Sequence, residues 1–155
     1  MNGAYESILN KASQQCRDRG ERLTPKRERL LALLLEADGP KSAYDLIAEH
    51  EQVYGESLAA MSVYRMLNFL VEAGLVHKLA TTNQFLACSH ISCDHAHEVP
   101  QFLICDDCHG VEEVGMQRNL LNELKASAAK VGFTMGGQQL ELHGRCQKCS
   151  GSETN

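Results

Sequence analysis

Apolar positions in the first half of the chain recur at helical spacing, broken by short polar or glycine-bearing stretches. Tyr5, Ile8, Leu9, Ala12 and Cys16 follow an i, i+3, i+4, i+7 rule that stops at Gly20, which predicts an amphipathic helix with Cys16 in the core. Thr24-Pro25 predicts a side-chain cap followed by proline at the first helical position, and Leu30, Leu31, Leu33, Leu34 and Leu35 supply the buried face of a helix that Gly39-Pro40 ends. Ser42-Ala43-Tyr44-Asp45 reads as a capping box with a short acidic partner, opening a third helix through Leu46 and Ile47. A fourth carries the stripe Val63, Met66, Leu67, Leu70 and Val71, ends at Ala73-Gly74, and turns Tyr64, Arg65 and Asn68 to its other side. Two short strands follow, Leu75 to Leu79 and Gln84 to Cys88, around a polar turn at Thr81-Thr82-Asn83. Helices closed by such a hairpin describe a winged helix-turn-helix.

The pattern changes at Ser89. From there to Pro100 the chain is rich in His, Cys, Asp and Ser without a clear period and reads as a metal-binding linker. Beyond it the pattern predicts a strand through Phe102, Leu103 and Ile104, a second near Val111, and a helix from about Gln117 to Lys130 with Leu120, Leu121, Leu124 and Ala128 on one side. A last strand runs from Gln139 to His143, making this half α+β.

Composition narrows the class. With 43% hydrophobic and 23% charged residues over 155 positions, the chain is a soluble globular protein. No apolar run approaches the roughly 20 residues of a membrane span, and the start lacks a basic stretch followed by an apolar one, so a cytoplasmic location is expected. A formal charge of -5 argues against a nonspecific nucleic-acid coat. Locally, however, Arg17, Arg19, Arg22, Lys26, Arg27 and Arg29 outnumber Asp18, Glu21 and Glu28, an excess that either meets phosphates or forms a solvated face.

Seven cysteines in a cytosolic chain point to metal or redox chemistry. Cys105-Asp106-Asp107-Cys108 and Cys146-Gln147-Lys148-Cys149 are two C-x-x-C units that can close a tetrahedral four-sulfur zinc site. Such a shell has no open position and is structural. A thioredoxin-like redox pair would leave the second unit unexplained. A further metal set can be drawn from His77, Cys88, His90, Cys93, His95, His97, His109, Glu112, Glu113 and His143, where nitrogen, sulfur and carboxylate donors together favour zinc.

Several segments carry a family resemblance: Arg22-Leu23-Thr24-Pro25-Lys26-Arg27, Ser42 to Leu46, Val63 to Leu70, Gly74 to Lys78, Phe102 to Cys108 and Glu141 to Cys146. In this order they resemble the ferric uptake regulator family, and most closely its zinc uptake regulators. The resemblance implies an N-terminal winged-helix DNA-binding domain over 1–86, a metal-binding hinge over 87–100, an α/β dimerisation domain over 101–150 and a loose tail over 151–155. It implies two zinc ions per chain: a structural one on Cys105, Cys108, Cys146 and Cys149, and a regulatory one on His77, Cys88, His97 and Glu113. A linker about one residue longer than in relatives makes His95 a rival to His97, and Gln138, where some members place a histidine, removes a further metal site. Tyr64, Arg65 and Asn68 would face the major groove while Arg22, Lys26 and Arg27 hold the DNA backbone.

The implied function is a homodimeric, zinc-responsive repressor of zinc uptake genes that binds palindromic operator DNA, with no membrane and no small-molecule substrate as partner. The alternatives are a sibling sensor of iron, nickel or peroxide, a metal-storage module, and a zinc hydrolase. The last would need an open metal position and a nearby base, and no H-E-x-x-H is present.

Overall fold

Four helices and a hairpin make the first of two units into which the chain divides, Met1–Cys93 and Asp94–Asn155. The computed structural model describes residues 3–91, 99–136 and 139–151. In the first unit lie α1 (Gly3–Asp18), α2 (Pro25–Glu36), α3 (Ala43–Tyr54), α4 (Ala60–Glu72), β1 (Val76–Leu79) and β2 (Gln84–Ala87). The expected apolar stripes meet here: Ala12 and Cys16 from α1, Leu30, Leu31, Leu33 and Leu34 from α2, Leu46 from α3, and Val63, Leu67 and Leu70 from α4 are buried with Leu75, Val76 and Phe85. Each fully buried Leu or Phe contributes roughly 1.5–3 kcal/mol of transfer free energy, so this core is the principal support of the unit.

Helix boundaries follow local chemistry with one correction. Thr24 is the N-cap of α2, but its side chain makes no capping hydrogen bond, so Pro25 at the first turn carries the start alone. Ser42 forms the expected capping box, its hydroxyl accepting from the Asp45 N–H at 3.1 Å while the Asp45 carboxylate accepts from the Ser42 N–H at 2.9 Å. The Ser42 hydroxyl, which donates to the Asp45 carboxylate at 2.7 Å, and then the Ser42 N–H hold the Asp45 carboxyl below its usual value. A lowered folded-state value means that the box stabilises above the ordinary carboxylate range and is lost as pH falls through the lowered value. Ser42→Ala is expected to cost about 1 kcal/mol at neutral pH, read as an earlier urea midpoint of the helical circular dichroism signal. That deficit should shrink in acid; one constant from neutral pH to full protonation would show that the Asp45 charge takes no part in the box.

Gly55 closes α3 at φ +66°, and its N–H donates to Glu51 O at 2.9 Å. Only glycine takes that backbone freely, and it turns the chain sharply into α4. Antiparallel β1 and β2 pair Val76 with Ala87 and His77 with Leu86, and an isolated bridge from Lys41 to Phe85 adds a third edge that sequence patterning did not reveal.

The second unit contains β3 (Val99–Cys105), β4 (Val111–Met116), α5 (Arg118–Lys130), β5 (Leu140–Gly144) and the short α6 (Gln147–Ser150). Its sheet has the order β4-β3-β5, with β3 antiparallel to β4 and parallel to β5. Parallel strands need a crossover connection, which the segment containing α5 supplies. Phe102, Ile104, Cys105 and Met116 are its buried apolar residues among those described. On the expected apolar side of α5, Leu120 is 48% and Leu124 38% exposed and Leu121 and Ala128 are half-buried among the described residues.

Candidate metal centre and nucleic-acid interface

The parallel pairing of β3 with β5 assembles the cysteine quartet. Its register sets Cys105 opposite Gly144, so both strands end together and the two C-x-x-C units leave the sheet side by side. The sulfurs of Cys105, Cys108, Cys146 and Cys149 all lie within 4.8 Å of one another. A tetrahedron with bonds of about 2.3 Å has edges of about 3.8 Å, and the Cys108 and Cys146 sulfurs are 3.8 Å apart. The quartet therefore fits a zinc ion by donor type and spacing.

Backbone geometry prepares the first knuckle. The Cys105 N–H donates to Gly110 O, and the His109 N–H to Cys105 O, each at 2.9 Å, with His109 at φ +60°. A side chain at Gly110 would meet the Cys108 sulfur at 3.4 Å, so a residue without a Cβ leaves that sulfur room. Amide donors from Cys108 first, then Cys146, draw the Cys105 thiol down to about 6. Cys149 is pushed up to about 12, chiefly by its hydrogen bond with the Cys146 thiol. Four crowded sulfurs cannot all hold negative charge without a cation, so without metal the protons distribute unequally among them.

A hydrogen bond from His143 Nδ1 to Asp106 Oδ1 at 2.9 Å and an ion pair from Arg145 Nε to Asp107 Oδ2 at 2.8 Å fasten the knuckles. The spacing argument missed these partners. The signal was present as two acids inside the first C-x-x-C and two bases just ahead of the second.

Of the other expected ligands, His77 and Cys88 come together on the hairpin. His77 pairs with Leu86, and Cys88, two residues further along, shares that face. Their donor atoms lie within 4.8 Å of each other, and Cys88 is buried. Glu113 stands on β4 of the second unit, opposite Phe102. His95, His97 and Cys93 lie outside the described residues.

On α4 the surface side is laid out as the pattern implied: Arg65 and Asn68 are exposed and Tyr64 is half-buried against the core. Gln15 of α1, which sequence reading passed over, and Arg19 just beyond it, read there only as part of the basic excess, donate to the last carbonyls of this helix, to Ala73 O at 2.8 Å and Glu72 O at 2.6 Å. They satisfy acceptors a helix end leaves open and fix α4 to α1.

The three expected backbone-holding cations differ in availability. Arg22 is exposed, whereas Arg27 donates to Arg22 O at 2.8 Å and lies 3.6 Å over the Phe69 ring, a position that ties α2 to α4. Lys26 is paired with Glu56 at 2.5 Å.

Comparison with known proteins agrees with this layout. A model of the Ferric uptake regulator family matches residues 18–143. The chain is 35% identical over 144 residues to the Zinc uptake regulation protein of Escherichia coli (strain K12), covering 93% of this chain and 82% of that one. Among solved structures, a zinc uptake regulator complexed with zinc and DNA superposes with a TM-score of 0.83 at 33% identity, covering 98% of this chain and 99% of that one. A crystal structure of holo XcZur gives 0.76 at 39% identity, covering 94% and 98%.

Proposed function

Since the chain belongs to the ferric uptake regulator family, we propose that it is a zinc-responsive transcriptional repressor that binds operator DNA as a homodimer when its regulatory zinc site is filled. The observation that carries this reading is the likeness, over nearly the whole chain, to a zinc uptake regulator complexed with zinc and DNA. A cysteine at position 88, within 4.8 Å of the His77 donor, supports zinc over a harder ion, because a thiolate favours a borderline-soft metal.

Two zinc ions per chain are assigned. The quartet holds the structural one, and His77, Cys88, His97 and Glu113 the regulatory one, with His95 the rival to His97. Bound zinc supplies cross-linking between donors that are distant in sequence. His77 and Cys88 belong to the hairpin of the reading domain, 1–86 with its neighbouring hinge 87–100, whereas Glu113 belongs to the dimerisation domain, 101–150. Occupancy of one ligand set thereby acts on both. A two-fold dimer must present its reading helices about 34 Å apart, one duplex turn, or a multiple of that.

Arg65, with Tyr64 and Asn68, reads base edges from α4, while Arg22 and Lys26 meet phosphates. Arg27 acts mainly by holding α2 to α4 through Phe69. Dimerisation fits the apolar residues left open on the second unit, among them Leu103, Val114, Leu120, Leu124, Phe133 and Leu142. No catalytic role is assigned, because a four-sulfur shell leaves no position for water. No helix among the described residues is long and apolar enough to cross a membrane, and a DNA-binding regulator with thiolate ligands works in the reducing cytoplasm.

The test is fluorescence anisotropy of the full chain, at buffered free zinc, on a duplex selected in vitro from a random pool. Binding should rise with zinc, and Arg65→Ala should cost about 1–3 kcal/mol on the selected duplex and little on random sequence. Equal affinity with and without a chelator that spares the quartet sinks the reading.

A further inference from the structure

Lys26 is not simply available to a phosphate. Its ammonium contacts Glu56 Oε1 at 2.5 Å, and the Arg29 guanidinium contacts Glu56 Oε2 at 3.3 Å, so one carboxylate spans two cations of α2. Two oxygens on a resonant anion facing a lysine and an arginine reproduce the contacts a DNA phosphate makes with such a pair.

The carboxylate is held in place. Glu56 lies in the turn between α3 and α4, directly after Gly55 at φ +66°. Its backbone carbonyl accepts from Nδ1 of the fully buried His50 at 2.8 Å. A carbonyl only accepts, so Nδ1 bears a proton and donates it, while the buried Nε2 has no hydrogen-bond partner among the described residues. The His50 ring packs 4.9 Å from Tyr54, and the Arg29 guanidinium lies 4.9 Å from the same tyrosine ring. The hydrogen bond from Lys26 keeps the Glu56 carboxyl below its ordinary value, so it stays charged at neutral pH.

We propose that Glu56 is a built-in phosphate surrogate: it occupies Lys26 and Arg29 in the DNA-free protein, is displaced from them by the duplex backbone, and thereby sets how tightly the repressor holds any duplex. This rests on the reading of Lys26 as a phosphate contact. The exchange swaps one anion for another at the same cations, so the net gain from those contacts falls for operator and random DNA alike. The displaced carboxylate also takes up a counterion, offsetting part of the release that drives association.

The experiment compares wild type, Glu56→Gln, Lys26→Met and the double variant, all as zinc-loaded full chains, on the in-vitro-selected duplex and a random duplex of equal length across a salt series. Glutamine keeps the side-chain shape and the backbone acceptor for His50, and thermal melts confirm that each variant is folded. Glu56→Gln should tighten binding to both duplexes by on the order of tenfold at low salt. It should steepen the slope of log affinity against log salt by about one. In the Lys26→Met background most of that gain should vanish.

Unchanged or weaker binding by folded Glu56→Gln overturns the proposal. So does a full gain that survives Lys26→Met, because the carboxylate would then repel DNA without masking the lysine. Failure of the repressor reading is separate: wild type itself would show no zinc-dependent preference for the selected duplex.

Discussion

Cys105→Ser is expected to lose the quartet's zinc and, with it, the folded second unit and the dimer. The buried apolar content described for that unit amounts to Phe102, Ile104, Cys105 and Met116, while α5 contributes no buried residue. A core that small cannot hold a fold without a staple. Structural zinc contributes about 10–16 kcal/mol in zinc-finger peptides, more than most domains' whole stability of roughly 5–15 kcal/mol. Cys105 is the most buried of the four ligands, and its sulfur accepts the Cys146 N–H at 3.4 Å, so its loss removes a ligand and a strut between the knuckles. Zinc content by mass spectrometry should fall, sedimentation should report monomer or aggregate, and the melt should lose its cooperative transition. A variant that keeps the wild-type dimer mass and melting profile would show that the fold does not depend on this site.

The second large effect is a decoupling. His77→Ala should leave the quartet's zinc, the dimer and the fold intact while removing the response of DNA binding to zinc. Allosteric couplings run about 1–3 kcal/mol per site, and two sites per dimer give about 4 kcal/mol at the middle of that range, near 10³-fold in operator affinity. His77 is half-buried on a strand whose backbone pairing with Leu86 does not involve the ring, so alanine there spares the hairpin. Native mass spectrometry should find one zinc per chain against the two proposed for wild type. If the variant still binds two zinc ions and still responds to zinc, the regulatory ligands lie elsewhere in the linker.

Both effects separate what zinc does in the two assigned places. On the proposed assignment the quartet would substitute for a hydrophobic core and should tolerate no loss, whereas the His77 set would tune a binding equilibrium and could fail without unfolding. Glu56 would act on a third quantity, the affinity for any duplex, so the three classes of variant have distinct signatures in zinc content, melting and salt dependence.

By itself the sequence determined the succession of elements, because helical and strand periods, the Ser42 to Asp45 box and the glycine stops are local. It also determined that the two C-x-x-C units form one site, since donor type and spacing constrain a tetrahedral shell wherever the chain carries it. His77 and Cys88 were singled out from ten candidate donors only by the family resemblance, and the hairpin of the folded chain is what brings their donor atoms together. The tertiary structure alone decided which surface charges are engaged, because Lys26 and Arg29 find Glu56, and Arg27 finds Phe69, across tens of residues that no period links. It alone decided that β5 runs parallel to β3, bringing Cys146 and Cys149 to the first knuckle, and that α1 anchors the end of α4. Local propensity and pattern act within a few residues of the chain, whereas partners for a charge, a carbonyl or a sheet edge are chosen by packing of the whole unit.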